Sequence, residues 1–328
     1  MMDDVRPIFV GGTGRSGTTI LSRVLDLHPR ISRFPIELRF LTDPDGVVSL
    51  KGPLVDYWSF YQADIAIRRF DKLLNSVSTR YIGRYPNTYL ARLVGRDFYH
   101  DWKRDYVDAL AAYTYRGDWA ARSNVFKKAL TRLPIPLSLR RSFLDLCYYA
   151  IPMSLSEYEQ VNRHYVNRFF QQFGTLNQGE CVVEHTPSSI IHADVLQGIL
   201  PEARFIHVYR NPWDVLVSYG GRDWGASSIE VNFRWICDIL GRWTQVREKI
   251  PASSFMEVRF EDLIGDTEGT LRKIVDFVGV EYDPTMLNLD LSRHNIGRWK
   301  SVLDENHRES LRSTVPQDIA RYFEEDEL

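Results

Sequence analysis

Residues 11–19, Gly11-Gly12-Thr13-Gly14-Arg15-Ser16-Gly17-Thr18-Thr19, have the types and spacing of an anion cradle. A glycine-rich turn can aim several backbone N–H groups at one anion, and a helix that starts there adds the positive end of its dipole. Arg15 brings a charge, and Ser16, Thr18 and Thr19 bring hydroxyl donors. Gly12 and Gly17 are spaced nearly as in a P-loop, but Thr18 stands where the P-loop lysine belongs and Thr19 takes the Ser/Thr place. Arg15, one turn earlier, is the cation instead. Such a loop suits a phosphate group and does not suit a magnesium nucleoside triphosphate.

A second anion device lies at Arg210. Asn211 is a good helix N-cap and Pro212 suits the first helical position, so a helix opens directly after the arginine. Arg210 can grip a phosphate bidentately. Ser218 adds a hydroxyl, Gly220-Gly221 ends the helix, and Arg222 follows. Acid–base chemistry has two further candidates, Glu37 in Ile36-Glu37-Leu38-Arg39 and His185 in Glu184-His185-Thr186-Pro187. Each has a plain alternative: Glu37 as a surface carboxylate paired with Arg39, His185 as a capping or core imidazole. His28-Pro29 reads as a helix C-terminal cap rather than as chemistry.

These residues need a common frame, and the apolar pattern supplies one. Ile8-Phe9-Val10, Ile31-Ser32-Arg33-Phe34, Cys181-Val182-Val183-Glu184, Phe205 to Tyr209 and Phe255 to Phe260 read as strands. Helical patterns run from Ile20 to Leu25, Ala193 to Leu200, Trp213 to Ser218, Val231 to Lys249 and Leu271 to Val278. Strands alternating with helices imply an α/β fold with a parallel sheet and helices on both faces. In such a sheet all carboxyl ends lie on one edge, where open α/β sheets bind ligands. The phosphate loop, Glu37, His185 and Arg210 each follow a strand, so they are expected on that edge. One antiparallel strand among the four would break this convergence.

Residues 46–175 have another character. Tyr57-Trp58-Ser59-Phe60-Tyr61, Phe98-Tyr99-His100-Asp101-Trp102 and Cys147-Tyr148-Tyr149 make them aromatic, and Arg68-Arg69, Lys103-Arg104, Lys127-Lys128 and Arg140-Arg141 add basic pairs. The spacing of Val107, Leu110, Ala111 and Thr114 predicts helix, with a break at Pro134 and Pro136. The expectation is one domain over 1–328, with an α/β core of 6–45 and 176–300 and a helical insertion of 46–175 covering the active-site edge on the acceptor side. The aromatic clusters at 57–61 and 98–102 serve helix packing or stack on a ring of the acceptor.

The 328-residue chain is 44% hydrophobic and 26% charged, with a formal net charge of −2, which is the composition of a globular protein without a general nucleic-acid surface. Three dispersed cysteines, Cys147, Cys181 and Cys237, give neither a disulfide framework nor metal-ligand spacing and favour a reducing compartment. No apolar run is long enough to span a membrane.

Gly14-Arg15-Ser16-Gly17-Thr18-Thr19 resembles the 5′-phosphosulfate loop of the sulfotransferases that use 3′-phosphoadenosine 5′-phosphosulfate (PAPS), and Arg210 with Ser218 resembles their 3′-phosphate site. Arg-Ser-Gly-Thr-Thr at 15–19 and Leu-Asp-Leu-His-Pro at 25–29 are most similar to the tyrosylprotein and carbohydrate branch and its bacterial relatives. The resemblance covers 6–40 and 180–300. It implies a P-loop-like three-layer sandwich and sulfuryl transfer from PAPS to a hydroxyl of a small-molecule or glycan acceptor. A glycan or glycolipid is favoured, a natural product or phenol comes next and protein tyrosine third, and no metal is needed. Gly14 to Thr19, Arg210, Ser218 and Arg222 would hold the nucleotide. Glu37 matches the glutamate proposed as base in that branch, allowing one inserted residue. His185 stands where the branch has the lysine that steadies the leaving group. It would replace that charge only when protonated, or act as base itself. Ile296-Gly297-Arg298-Trp299-Lys300 resembles the segment that closes over PAPS, so Arg298 or Lys300 is expected to touch nucleotide phosphate. That family's Golgi members carry an N-terminal anchor. Met1-Met2-Asp3-Asp4 is not one, which points to a cytoplasmic, bacterial enzyme or a shortened chain. The competing readings are a P-loop kinase or NTPase, which must explain Thr18, and a non-catalytic PAPS-binding protein. The sequence does not speak to oligomeric state.

Overall fold

The computed structural model describes residues 5–79, 89–117, 136, 144–291 and 295–324. The expectations placed on Met1 to Asp4, Lys127-Lys128, Pro134 and Arg140-Arg141 lie outside the described residues. The chain divides into two compact units, Met1–Leu38 with Phe170–Leu328, and Arg39–Phe169.

The strands are β1 Arg6–Gly11, β2 Ile31–Arg33, β3 Tyr113–Gly117, β4 Asp145–Tyr149, β5 Cys181–Glu184, β6 Arg204–Tyr209 and β7 Phe255–Arg259. The helices that matter here are α1 Thr18–Leu25, α2 Phe60–Thr79, α3 Arg96–Ala109, α4 Leu155–Asn177, α5 Ala193–Ile199, α6 Pro212–Gly220, α7 Ile229–Arg247 and α8 Thr267–Val278.

In the first unit the sheet order is β2-β5-β1-β6-β7. All four pairings are parallel, with Arg6 opposite Cys181, Ile8 opposite Arg204, Ile31 opposite Cys181 and Phe205 opposite Phe255. β1 and β5 are nearly continuous apolar runs because strands at the centre of a parallel sheet are covered on both faces. On one face Ile8, Val10, Val183, Ile206 and Val208 pack with Leu21, Val24 and Leu25 of α1 and Leu271, Ile274, Val275 and Val278 of α8. Burying each such side chain contributes roughly 1.5–3 kcal/mol. On the other face Phe9 stacks on Phe205 with centroids 5.2 Å apart and tilts against Phe170 at 5.9 Å, while His207 lies 5.0 Å from Trp243 of α7. The unit is thus a three-layer α/β sandwich, and its strands end together on one edge.

The Arg39–Phe169 unit corrects a purely helical reading of its sequence. It carries α2 and α3, but β3 and β4 form an antiparallel pair with Tyr113 opposite Tyr149. α3 ends at Ala109, so Thr114 lies in a strand despite its helical spacing from Val107. Cys147, Tyr148 and Tyr149 are strand residues too. The β-branched and aromatic types win over the spacing, because cross-strand pairs such as Tyr113 on Tyr149, 4.8 Å apart, reward pleated backbone. Of the aromatic clusters, Tyr99 and Trp102 are core residues. Trp102 packs 4.9 Å from Phe169 and donates its Nε1–H to the Tyr165 carbonyl at 2.8 Å. Tyr57 and Phe60 remain exposed.

Candidate active site at the carboxyl edge of the sheet

The phosphate loop leaves β1 at Gly11 and is shaped by its backbone. Gly14, Arg15 and Gly17 have φ of 75°, 57° and 104°. Arg15 therefore holds a left-handed conformation that a side-chain-bearing residue adopts at a cost, and such outliers gather at binding sites. Gly12 has a different reason: a Cβ there would stand 2.3 Å from the Val208 carbonyl oxygen and 2.4 Å from Ser16 Oγ. Gly17 caps α1 without any side-chain acceptor, so the helix start keeps its N–H groups available. Thr18 is buried and Thr19 exposed. Ser16 Oγ is buried without a hydrogen-bond partner, the state of a donor whose acceptor is a ligand.

Arg15 and the α6 residues meet around one cavity. Arg15 Nε donates to Ser218 Oγ at 3.0 Å. Burial first, then the like charges of Arg222 and Arg210, pull the Arg15 pKa down, which marks a surplus of positive charge. The cavity measures about 480 Å³ and is lined by Arg15, Ser218, Arg222, Asn295 and Arg298 among others. Lys300 does not line it and lies over Trp299, with Nζ 5.9 Å from the ring centroid. Of the two expected C-terminal cations, Arg298 lines this cavity and Lys300 does not.

Arg210 follows β6, and Asn211 caps α6 by accepting from Trp213 N, as its sequence position requires. The guanidinium contacts Asp214 at 3.5 Å and the carbonyl of Asn295, and it sits 5.3 Å from the Phe260 ring. Its Nε is buried without a partner. These orphan donors, Ser16 Oγ and Arg210 Nε, fit a nucleotide carrying two anionic groups. Asp214 is a residue beside the candidate site that sequence reasoning missed. Its carboxylate accepts from Gly297 N at 2.7 Å and Trp299 N at 3.2 Å, so it pins the segment that carries Arg298. Its place one turn after Arg210 was the available signal. Tyr219 was also missed: its hydroxyl bonds the Thr13 carbonyl and ties α6 to the loop.

Glu37 follows β2 and is half-buried. His185 follows β5 directly and is buried, with Nδ1 lacking a partner. Burial, then the charge of Arg33, lower its pKa to about 4. In the protein without nucleotide, burial and Arg33 therefore favour the uncharged imidazole over the protonated form considered for His185. His28 is structural. Arg30 N donates to its Nδ1 at 3.1 Å, so Nε2 carries the proton and donates to the Glu281 carbonyl at 2.8 Å. Among the described residues no group of three or more His, Cys, Asp or Glu could hold a metal ion, and no helix is long and apolar enough to cross a membrane.

A parallel sheet with a glycine-rich loop after its first strand and an arginine–serine pair on the same edge is the arrangement at the candidate site. The sequence model of the sulfotransferase family matches residues 7–284, and the chain belongs to that family. Among curated relatives, the omega-hydroxy-beta-dihydromenaquinone-9 sulfotransferase Stf3 of Mycobacterium bovis is 29% identical over 131 residues, which are 34% of this chain and 32% of that protein. Mouse sulfotransferase 2A2 is 32% identical over 124 residues, 34% of this chain and 42% of that protein. The chain thus spans about a third to two fifths of the length of these relatives. Among solved structures, the sulfotransferase domain of the Synechococcus PCC 7002 olefin synthase covers 98% of this chain and 94% of its own, with TM-score 0.47 and 16% identity. STF9 of Mycobacterium avium covers 97% and 76%, with TM-score 0.46 and 16% identity.

Proposed function

We propose that the protein transfers the sulfuryl group of PAPS to a hydroxyl of an acceptor, releasing the 3′,5′-bisphosphate PAP. One observation carries the reading: Arg15 of the loop reaches Ser218 of the second device at 3.0 Å, beside a cavity that also takes Arg222 and Arg298. One residue of each phosphate device, Arg15 and Ser218, lines that cavity, and this suits a nucleotide with anions at both ends of its ribose. The loop N–H groups of Gly14, Ser16, Gly17, Thr18 and Thr19, with Arg15, hold the phosphosulfate, and Arg210, Ser218 and Arg222 hold the 3′-phosphate. PAPS supplies the sulfuryl group. The acceptor oxygen forms the new S–O bond, the bond from sulfur to the bridging phosphate oxygen breaks, and Glu37 takes the hydroxyl proton. The loop donors stabilise the charge left on the phosphate. His185 either takes the proton itself, as a neutral imidazole can, or steadies the leaving oxygen once protonated.

The acceptor is proposed as a hydroxyl of a small molecule, with a glycan or glycolipid first and a natural product or phenol next. The mycobacterial relative, named for an omega-hydroxylated menaquinone, adds a lipid alcohol to the candidates. Residues 46–175 are proposed to face the acceptor. A cytoplasmic, bacterial setting belongs to the same reading and is supported by three buried cysteines, all free thiols.

Calorimetry tests the nucleotide. PAP should bind without divalent metal and far more tightly than adenosine 5′-phosphosulfate or ATP. Equal affinity for the three, or a strict magnesium requirement, would overturn the reading in favour of an NTPase. Radiolabelled PAPS offered with alcohols, glycans and phenols then identifies the acceptor.

A further inference from the structure

We infer that Glu184, the last residue of β5, is a positioning residue whose carboxylate holds the three loops of the active-site edge in register. It rests on the sulfotransferase reading for its consequence in catalysis. Glu184 is fully buried. Its Oε1 accepts from Thr186 N at 2.7 Å, from Thr186 Oγ1, and from Leu38 N at 3.2 Å, and its Oε2 accepts from Ser189 Oγ at 2.7 Å. Leu38 is the neighbour of Glu37 in the loop after β2. Thr186 is the neighbour of His185 in the loop after β5. Ser189 belongs to the turn Pro187–His192. That turn also holds the phosphate loop, because the Pro187 carbonyl accepts from Gly12 N at 3.0 Å and a Cβ on Gly11 would lie 2.7 Å from Ile190 Cβ.

One side chain therefore fixes the flanks of both acid–base candidates and, through the turn, the start of the anion loop. The local bonds to Thr186 and Ser189 would satisfy a carboxylate with a merely structural role. The bond to Leu38 is of another kind, since it spans 146 residues and joins two separate loops. Two backbone N–H groups converge on Oε1, and a backbone N–H can only donate, so that oxygen must stay an acceptor. Catalytic groups lose rate steeply when displaced, which makes such a clamp consequential for turnover.

The test uses the full chain with Glu184→Leu, which keeps the volume and removes both acceptor oxygens, and with Ser189→Ala, which removes a single bond. Amide hydrogen exchange, kcat, PAP affinity and Tm are measured on each. Both variants should speed exchange at Leu38 and Thr186, Glu184→Leu more strongly. In Glu184→Leu, kcat should fall by about 10²-fold, while PAP affinity falls by no more than about tenfold, because the clamp reaches the anion loop only through the Pro187 turn and is not bonded to Arg15, Arg210 or Ser218. Unchanged exchange at both amides would overturn the inference. So would faster exchange with unchanged kcat, or a parallel fall of kcat, PAP affinity and Tm, which would show a structural role only. If the wild type bound no PAP, the functional reading would fall, and the exchange at Leu38 and Thr186 would still decide the clamp.

Discussion

Arg15 Nε donates to Ser218 Oγ at 3.0 Å, although the two residues stand 203 positions apart. The bond joins the loop after β1 to the helix after β6, which are neighbouring strands of the sheet. Sheet order thus converts two distant sequence motifs into one wall of one cavity.

The pair should be energetically coupled in nucleotide binding. Arg15→Ala should weaken PAP binding by ~2–5 kcal/mol, the range for removing one partner of a desolvated charged contact. Ser218→Ala should weaken it less, and the double variant should lose less than the sum, with a coupling of about 0.5–3 kcal/mol. A calorimetric double-mutant cycle checks this. Strict additivity would show that the two residues meet different parts of the ligand.

Asp214 should govern the C-terminal segment. Its carboxylate accepts from Gly297 N and Trp299 N and contacts Arg210. Asp214→Ala leaves two buried-side donors without an acceptor, a loss of about 1–3 kcal/mol. Exchange at the Gly297 and Trp299 amides should rise, and PAP affinity should drop because Arg298 lines the cavity. Unaltered protection at both amides would mean that Trp299 packing alone holds the segment.

The three central strands of the main sheet could be read from the chain because central parallel strands must be apolar on both faces, the edge strand β7 because its residues alternate, and the Asn211 cap because its chemistry is local. The β3–β4 pair was hidden, since Thr114 continues a helical spacing past Ala109 and only the pairing of Tyr113 with Tyr149 shows where helix stops. Glu184 escapes a sequence reading for the same kind of reason: its partner Leu38 is brought to it by the β2–β5 pairing, which no local pattern announces. The charge state of His185 depends on burial and on Arg33, both products of the fold. Motifs gave the candidates for the site. Their neighbours and their protonation required the sheet.

Glu37 should matter for turnover and not for the nucleotide. Glu37→Gln should cut kcat by roughly 10²–10⁴-fold, the usual worth of a general base. PAP affinity should be unchanged, because Glu37 follows β2 while the anion devices follow β1 and β6. Rapid-quench kinetics with the best acceptor, alongside PAP titration, separates the two quantities. A near-normal kcat would pass the role of base to His185.

His185 predicts a pH dependence of stability. Burial and Arg33 hold its pKa in the folded state at about 4, below the 6.5 of an exposed imidazole. Between those values the unfolded chain binds a proton that the folded chain does not, so stability rises with pH across this window and is lost as pH falls through it. The contribution is up to ~3 kcal/mol, because each tenfold difference in proton affinity between the folded and unfolded chain is worth about 1.4 kcal/mol. His192 and His207 also have lowered pKa values through burial and add to the wild-type slope, so the comparison must be with a variant at one position. His185→Gln, which cannot titrate, should unfold in urea with a shallower dependence on pH between 6.5 and 4, while the two proteins run parallel above pH 7. Parallel curves through the whole window would show that His185 takes up its proton alike in the folded and the unfolded chain. That outcome would return the imidazolium to consideration as the charge beside the leaving group.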